Sequence, residues 1–125
     1  MVKEAYVSFE VAKLLKEKGF NEKCLASYWT DGSLTQSSGI TNSITSNLVT
    51  AAPTHQFACA WLREKGFTFI ISPQWAEGDM RNPCRWYWEI RGLKDNTVDV
   101  YSQPLCDSYE EAVEAALLYV LNNLI

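Results

Sequence analysis

The segment from Arg85 to Arg91, RWYWEIR, alternates strictly between two chemistries. In an extended chain Trp86, Trp88 and Ile90 lie on one side and Arg85, Tyr87, Glu89 and Arg91 on the other. A period of two predicts a half-buried strand, and with it a sheet that has one apolar face. TVDVY at 97–101 repeats the alternation, and the intervening GLKDN is rich in turn residues, so the two runs read as a hairpin. Matching the apolar faces sets the register, because a slip of one residue would turn every side chain over. Ile90 then opposes Val100, and the same register brings Arg91 to Asp99, an opposite-charge pair on the polar face. It also sets Glu89 against Tyr101 and Tyr87 against Gln103.

Three helices are written in the language of their ends. Ser8 is a good N-cap for a first helix whose apolar stripe is Val11, Ala12, Leu14 and Leu15. Gly19 stands where a left-handed C′ residue ends such a helix, and Phe20 where its apolar contact falls. Pro53-Thr54 opens a second helix carrying Phe57, Ala58, Trp61 and Leu62, and Gly66-Phe67 closes it. The two endings, AKLLKEKGF at 12–20 and CAWLREKGF at 59–67, nearly repeat, and each precedes a run with strand character, CLASYWT at 24–30 and TFIIS at 68–72. The remainder of the two halves does not align, so shared helix-stop chemistry explains the echo better than duplication. Ser108 and Glu111 form a capping box ahead of a third helix. Its core stripe is Tyr109, Ala112, Val113, Ala116, Leu117, Val120, Leu121 and Leu124.

These elements predict an α+β fold with three helices packed on a small antiparallel sheet built from 68–72, 85–91 and 97–101, with 24–30 as a candidate extension. The 125 residues suit a single domain, 1–125. The departure is 33–50, where nine of 18 residues are Ser or Thr and none is charged. It reads as a long loop or a hairpin excursion, and Ile40, Ile44, Leu48 and Val49 give it apolar points of contact.

VSFEVAKLLKEKGF at 7–20, APTHQFACAWLREKGF at 52–67 and SYEEAVEAALLYVLNNLI at 108–125 together resemble a family of small proteins from Bacteroidetes and their phages or prophages. The resemblance covers roughly 48 of the 125 residues and leaves out the Ser/Thr-rich segment and the aromatic hairpin. That family carries no assigned activity. The resemblance therefore implies a setting, a mobile element in bacterial cytoplasm, and transfers no functional residues.

Catalytic and cofactor chemistries find little footing. The four cysteines, Cys24, Cys59, Cys84 and Cys106, contain no CxxC, which removes the usual zinc-ribbon and thioredoxin signatures. No signal-peptide pattern opens the chain, and reduced thiols acting as small hydrophobes are the expectation. The only histidine, His55, stands four residues before Cys59, a metal-ligand spacing with no further ligands in sight; the plainer reading is an exposed His in the first turn beside a buried Cys. Glycines at 19, 32, 39, 66, 78 and 92 make neither a P-loop nor GxGxxG. Glu77 and Asp79, near Trp75, share one loop, and a solvated turn explains them better than a glycosidase pair. The expectation is a chain that is not an enzyme, with no catalytic, cofactor-binding or metal residues and no cofactor.

What remains is the polar side of the hairpin: Arg85, Tyr87, Arg91, Tyr101 and Gln103. Arg and Tyr are enriched at protein interfaces, and some modules stack single-stranded bases on a similar face. Cross-strand pairing on a solvated face is the plain alternative. A formal net charge of −4 argues against nucleic acid and favours a protein partner. The reading is a cytoplasmic, non-enzymatic interaction protein of phage or prophage origin that binds a host or phage protein. Self-association stays open, no membrane contact is expected, and the alternative is a single-stranded nucleic-acid-binding module using the same face.

Overall fold

The computed structural model describes residues 4–43, 48–74, 85–101 and 105–125, and the side chains of all of these but Ser37 and Ser38. The fold is α+β, with three helices and two small antiparallel sheets. The element order is α1 (Phe9–Glu17), β1 (Cys24–Trp29), β2 (Leu34–Ile40), β3 (Val49–Ala51), α2 (His55–Glu64), β4 (Phe67–Gln74), β5 (Arg85–Gly92), β6 (Asp99–Tyr101) and α3 (Tyr109–Asn123). The chain divides into two compact units, Met1–Ala58 with Leu121–Ile125, and Cys59–Val120.

In the first unit, Ser8 caps α1 by accepting a hydrogen bond from the Val11 N–H at 3.2 Å. The helix ends in a Schellman motif: Gly19 has φ +93°, its N–H reaches the Lys16 carbonyl, and the Phe20 N–H reaches the Leu15 carbonyl at 2.9 Å. Phe20, 1% exposed, joins Val7, Val11, Ala12, Leu15, Ala26 and Ala51 as buried apolar residues of this unit. Tyr28 of β1 packs its ring on Phe9 of α1 and donates its hydroxyl hydrogen to the Val7 carbonyl at 2.7 Å.

The run at 24–30 does not extend the aromatic sheet. β1 is the centre of a sheet of its own, in the order β2-β1-β3. Its two neighbours come from the Ser/Thr-rich segment, read from sequence as a long loop or a hairpin excursion: it does form strands, but they flank β1 and do not pair with each other. Thr and Ser tolerate the extended backbone, and side chains replace some of the packing that larger residues would supply. Asn42 is the pin: its amide donates to the Phe20 carbonyl at 2.7 Å, and its carbonyl accepts from the Ala51 N–H at 2.9 Å. Ile40 is half-buried and Leu48 is exposed, while Ile44 lies outside the described residues.

The second unit holds the expected hairpin. β5 pairs with β6 through Glu89–Tyr101, Ile90–Val100 and Arg91–Asp99, the register that the two apolar faces require. Toward the other end Trp86 bridges to Cys106, two residues out of step with those pairs. The Tyr87–Gln103 pair falls outside the described residues, because Gln103 does. β4 completes the meander β4-β5-β6 and pairs with β5 without interruption from Phe67–Gly92 to Gln74–Arg85. Helix α3 lies on the Trp face: the rings of Trp86 and Tyr109 meet edge to face at 5.4 Å, and those of Trp88 and Tyr119 are tilted at 46° with centroids 5.8 Å apart. Ser108 accepts from the Glu111 N–H, and Glu111 reaches back to the Asp107 N–H, one residue earlier than an ideal capping box. Ala112, Val113, Ala116, Leu117 and Val120 of α3 are buried, as the helical spacing requires.

Candidate interaction face

β5 is the middle strand of its sheet, so its outward side chains sit at the centre of the face opposite α3. Pairing with β4 and β6 adds Thr68, Ile70, Ser72 and Gln74 on one flank and Asp99 and Tyr101 on the other. Arg85, Arg91 and Tyr101 are exposed and Tyr87 is half-buried. The Tyr87 and Tyr101 rings lie 5.9 Å apart at 39°, a tilted cross-strand pair. The structure thus brings four of the five residues singled out from sequence onto one face; the fifth, Gln103, lies outside the described residues.

The electrostatics differ from those of a bare Arg/Tyr surface. Glu89 is only 5% exposed, and its carboxylate accepts from Arg91 Nε at 3.1 Å. Arg91 Nη2 also lies 3.1 Å from that carboxylate, and Asp99 stands 4.0 Å from Arg91 Nε. The hydrogen bond to Glu89 holds the Arg91 guanidinium above its ordinary pKa, with Glu89 and Asp99 charge adding to it. Arg85 reaches Asp107 at 3.5 Å. Tyr101 donates its hydroxyl to Asp99 at 2.9 Å; that bond, then partial desolvation and the charges of Asp99 and Glu89, push its pKa up to about 12. Tyr87 shifts upward too, through desolvation and then Glu89 and Asp99. Two guanidinium groups are therefore set against three carboxylates. Glu89 is the residue that sequence reasoning undervalued. The alternation places it on the polar face, yet it is buried there beside Arg91.

Other candidates resolve differently. His55 is buried, not exposed. The chain at 5–7 runs against the start of α2: Val7 N–H bonds the Pro53 carbonyl, His55 N–H bonds the Ala5 carbonyl at 2.8 Å, and Tyr6 bridges to Thr54. Cys59 is half-buried, and burial pushes its thiol up to about 11, with Arg63 opposing. Burial, reinforced by Glu22, does the same for Cys24, which also reaches about 11. Such thiols are poor nucleophiles at neutral pH. Among the described residues no group of three or more His, Cys, Asp or Glu is arranged to hold a metal ion, and no helix is long and apolar enough to cross a membrane. Glu77, Asp79, Trp75 and Cys84 lie outside the described residues.

A groove of about 300 Å³ in the first unit is lined by Tyr6, Lys23, Cys24, Leu25, Pro53 and Phe57, among others. Nothing in the sequence announces it, because it forms only where 5–7 meets 53–55. Phe57, placed on the apolar stripe of α2, is 38% exposed here and touches Phe20 edge to face at 6.0 Å. The Thr54 hydroxyl in the lining already caps α2, accepting from the Phe57 N–H at 3.2 Å.

No protein-family model, curated protein or solved structure matches this chain.

Proposed function

We propose that the protein is a non-enzymatic interaction protein, of phage or prophage origin, that binds a host or phage protein through the open face of β4-β5-β6. One observation carries the reading: an aromatic pair, Tyr87 and Tyr101, stands on a sheet face whose cations are already matched by carboxylates. Tyrosine gives a large, rigid contact area with a polar tip, the chemistry favoured at protein interfaces. Binding nucleic acid would draw Arg85 and Arg91 to phosphates and leave Asp107, Asp99 and the buried Glu89 behind, close to a polyanion. That cost favours a protein partner over the single-stranded nucleic-acid reading.

The test uses the tagged full-length chain as bait in a bacterial lysate, with and without nuclease. A protein should be retained in both arms, and Arg85→Ser with Tyr101→Ser should release it. In parallel, fluorescence anisotropy with single-stranded DNA and RNA at low salt should show no saturable binding. Loss of the captured material on nuclease treatment, together with saturable oligonucleotide binding, would transfer the function to the alternative.

A further inference from the structure

Among the described residues each sheet has two edge strands, and three of the four are blunted. β3 and β6 are three residues long, and β6 carries Asp99. β2 is longer, but its pairing slips between Cys24 and Ala26, and Gly39 sits within it at φ +73°. Short length, charge and bulges are the means by which proteins keep sheet edges from pairing with other chains. β4 has none of them over its first six residues. It runs for eight residues, FTFIISPQ, without a charge and without a break in its ladder to β5.

The outward side of this strand can be read residue by residue. Leu93 N–H bonds the Gly66 carbonyl at 2.7 Å, so Gly66 points toward β5. Backbone groups alternate along a strand. Thr68, Ile70, Ser72 and Gln74 therefore bond β5, and Phe67, Phe69, Ile71 and Pro73 turn their backbone groups to the free edge. Pro73 fits this assignment, since proline is tolerated in a strand where its missing N–H faces away from the sheet. Among the described residues, no hydrogen bond reaches that edge.

We infer that the free edge of β4 pairs antiparallel with β4 of a second copy of this chain, joining two three-stranded sheets into one of six strands. The argument for a second copy is the symmetry of the strand about Ile70. Thr68 answers Ser72, Phe69 answers Ile71, and Phe67 answers Pro73. A twofold axis through Ile70, perpendicular to the sheet, opposes each residue to one of the same face, which is what a pairing must do to keep apolar and polar sides apart. Hydroxyl then meets hydroxyl on the open side, large apolar groups meet on the α3 side, and no like charges confront each other. Phe69 and Ile71 of the two copies form the hydrogen-bonded pairs, and the Pro73 carbonyls accept from the Phe67 N–H groups, giving about six bonds across the junction. Ile70, 39% exposed, meets its own symmetry mate at a non-hydrogen-bonded pair, with Cα atoms about 4.5 Å apart. Pairing at this edge is separate from partner binding on the open face, and either can hold without the other.

The test is sedimentation equilibrium on the full-length chain over a wide concentration range. A reversible monomer–dimer equilibrium is expected. Ile70→Lys, which sets two ammonium groups face to face on the axis, should weaken the dimer at least tenfold with an unchanged far-ultraviolet circular dichroism spectrum. Ile70→Cys should cross-link to a covalent dimer under a mild oxidant, well above any cross-linking of the parent chain. A parent chain that stays monomeric at every concentration, or that forms only open-ended aggregates, would overturn the proposal. A dimer that persists undiminished in Ile70→Lys, or an Ile70→Cys chain that does not cross-link, would overturn it as well.

Discussion

In each half of the chain a helix, α1 or α2, is followed by three strands, and the two sets of strands form different sheets. The first places its earliest strand in the middle, β2-β1-β3; the second is a simple meander, β4-β5-β6. Both helices stop at a glycine in the left-handed region, Gly19 at φ +93° and Gly66 at φ +104°, followed by a phenylalanine. Phe20 is buried after the first stop, whereas Phe67 is half-buried and begins an edge strand after the second. A shared terminator thus fixes how a helix ends and leaves open what the chain does next. The interiors differ as well. The first unit buries many small residues, Ala12, Ala26, Ala51, Ala52 and Ala58, and ties its polar strands with Asn42. The second buries Trp61, Trp88, Ile90 and Leu117 and carries its charges on an open sheet face. Candidate function follows the second pattern, because a large apolar interior on one face frees the other for polar and aromatic groups.

The sharpest probe of this contrast is truncation of one core residue in each unit. Phe20→Ala should cost about 3–5 kcal/mol and Leu117→Ala about 2–5 kcal/mol in urea unfolding, since both are fully buried and leave cavities. A loss below about 1 kcal/mol at either site would mean that its unit does not pack as described. The glycines separate next. A Cβ at Gly92 would collide with the Asp95 carbonyl in the β5–β6 turn, whereas one at Gly19 meets nothing within 4 Å. Gly92→Ala should therefore cost about 3 kcal/mol through overpacking, and Gly19→Ala about 1–2 kcal/mol through left-handed strain alone. Equal losses would show that the turn yields. Asn42→Ala, which removes the bonds to the Phe20 carbonyl and the Ala51 N–H, should cost about 1–3 kcal/mol; a neutral result would remove the polar pin from the account of the first unit.

The open face should respond more gently and more selectively. Arg91→Ala leaves Glu89 buried without its partner and should lower the unfolding midpoint, and Glu89→Gln in the same chain should restore it. Asp99→Ala should leave the midpoint nearly unchanged, as exposed pairs do, yet draw the Tyr101 pKa down from about 12 toward its ordinary value of 10 in a spectrophotometric titration. The sign of the linkage follows from that elevated pKa. The neutral phenol is the form stabilised in the fold, so its contribution is complete below pH 10 and is lost as pH rises toward 12. A titration of Tyr101 that ignores Asp99 would contradict the geometry.

Much of the second unit could be read from sequence because its signals are local and redundant. Alternation in RWYWEIR, the charge match of Arg91 with Asp99 and the turn at 92–96 all demand one register, and the structure has it. Helix ends were equally legible, since Ser8, Gly19, Gly66 and Ser108 act within a few residues of where they stand. The first sheet was not. Its strands lack apolar alternation, and what holds them, Asn42 bonding residues 22 and 9 positions away, is contact between distant segments that periodicity cannot register. The burial of His55 was hidden for the same reason, as it depends on pairing of 5–7 with 53–55. On the candidate face the sequence placed Arg85, Tyr87, Arg91 and Tyr101 together and paired Arg91 with Asp99, while the matching of those cations by Glu89 and Asp107 emerged only from three-dimensional distances.

The central claim is that the exposed residues Arg85 and Tyr101 of the open face serve binding and not folding. It is tested most directly by one double variant, Arg85→Ser with Tyr101→Ser, which leaves the Arg91–Glu89 pair intact. Its unfolding midpoint and its retention of protein from nuclease-treated lysate are measured side by side with the parent chain. An unchanged midpoint with retention abolished is the expected result. Retention equal to that of the parent, or a midpoint that collapses along with it, would contradict the account.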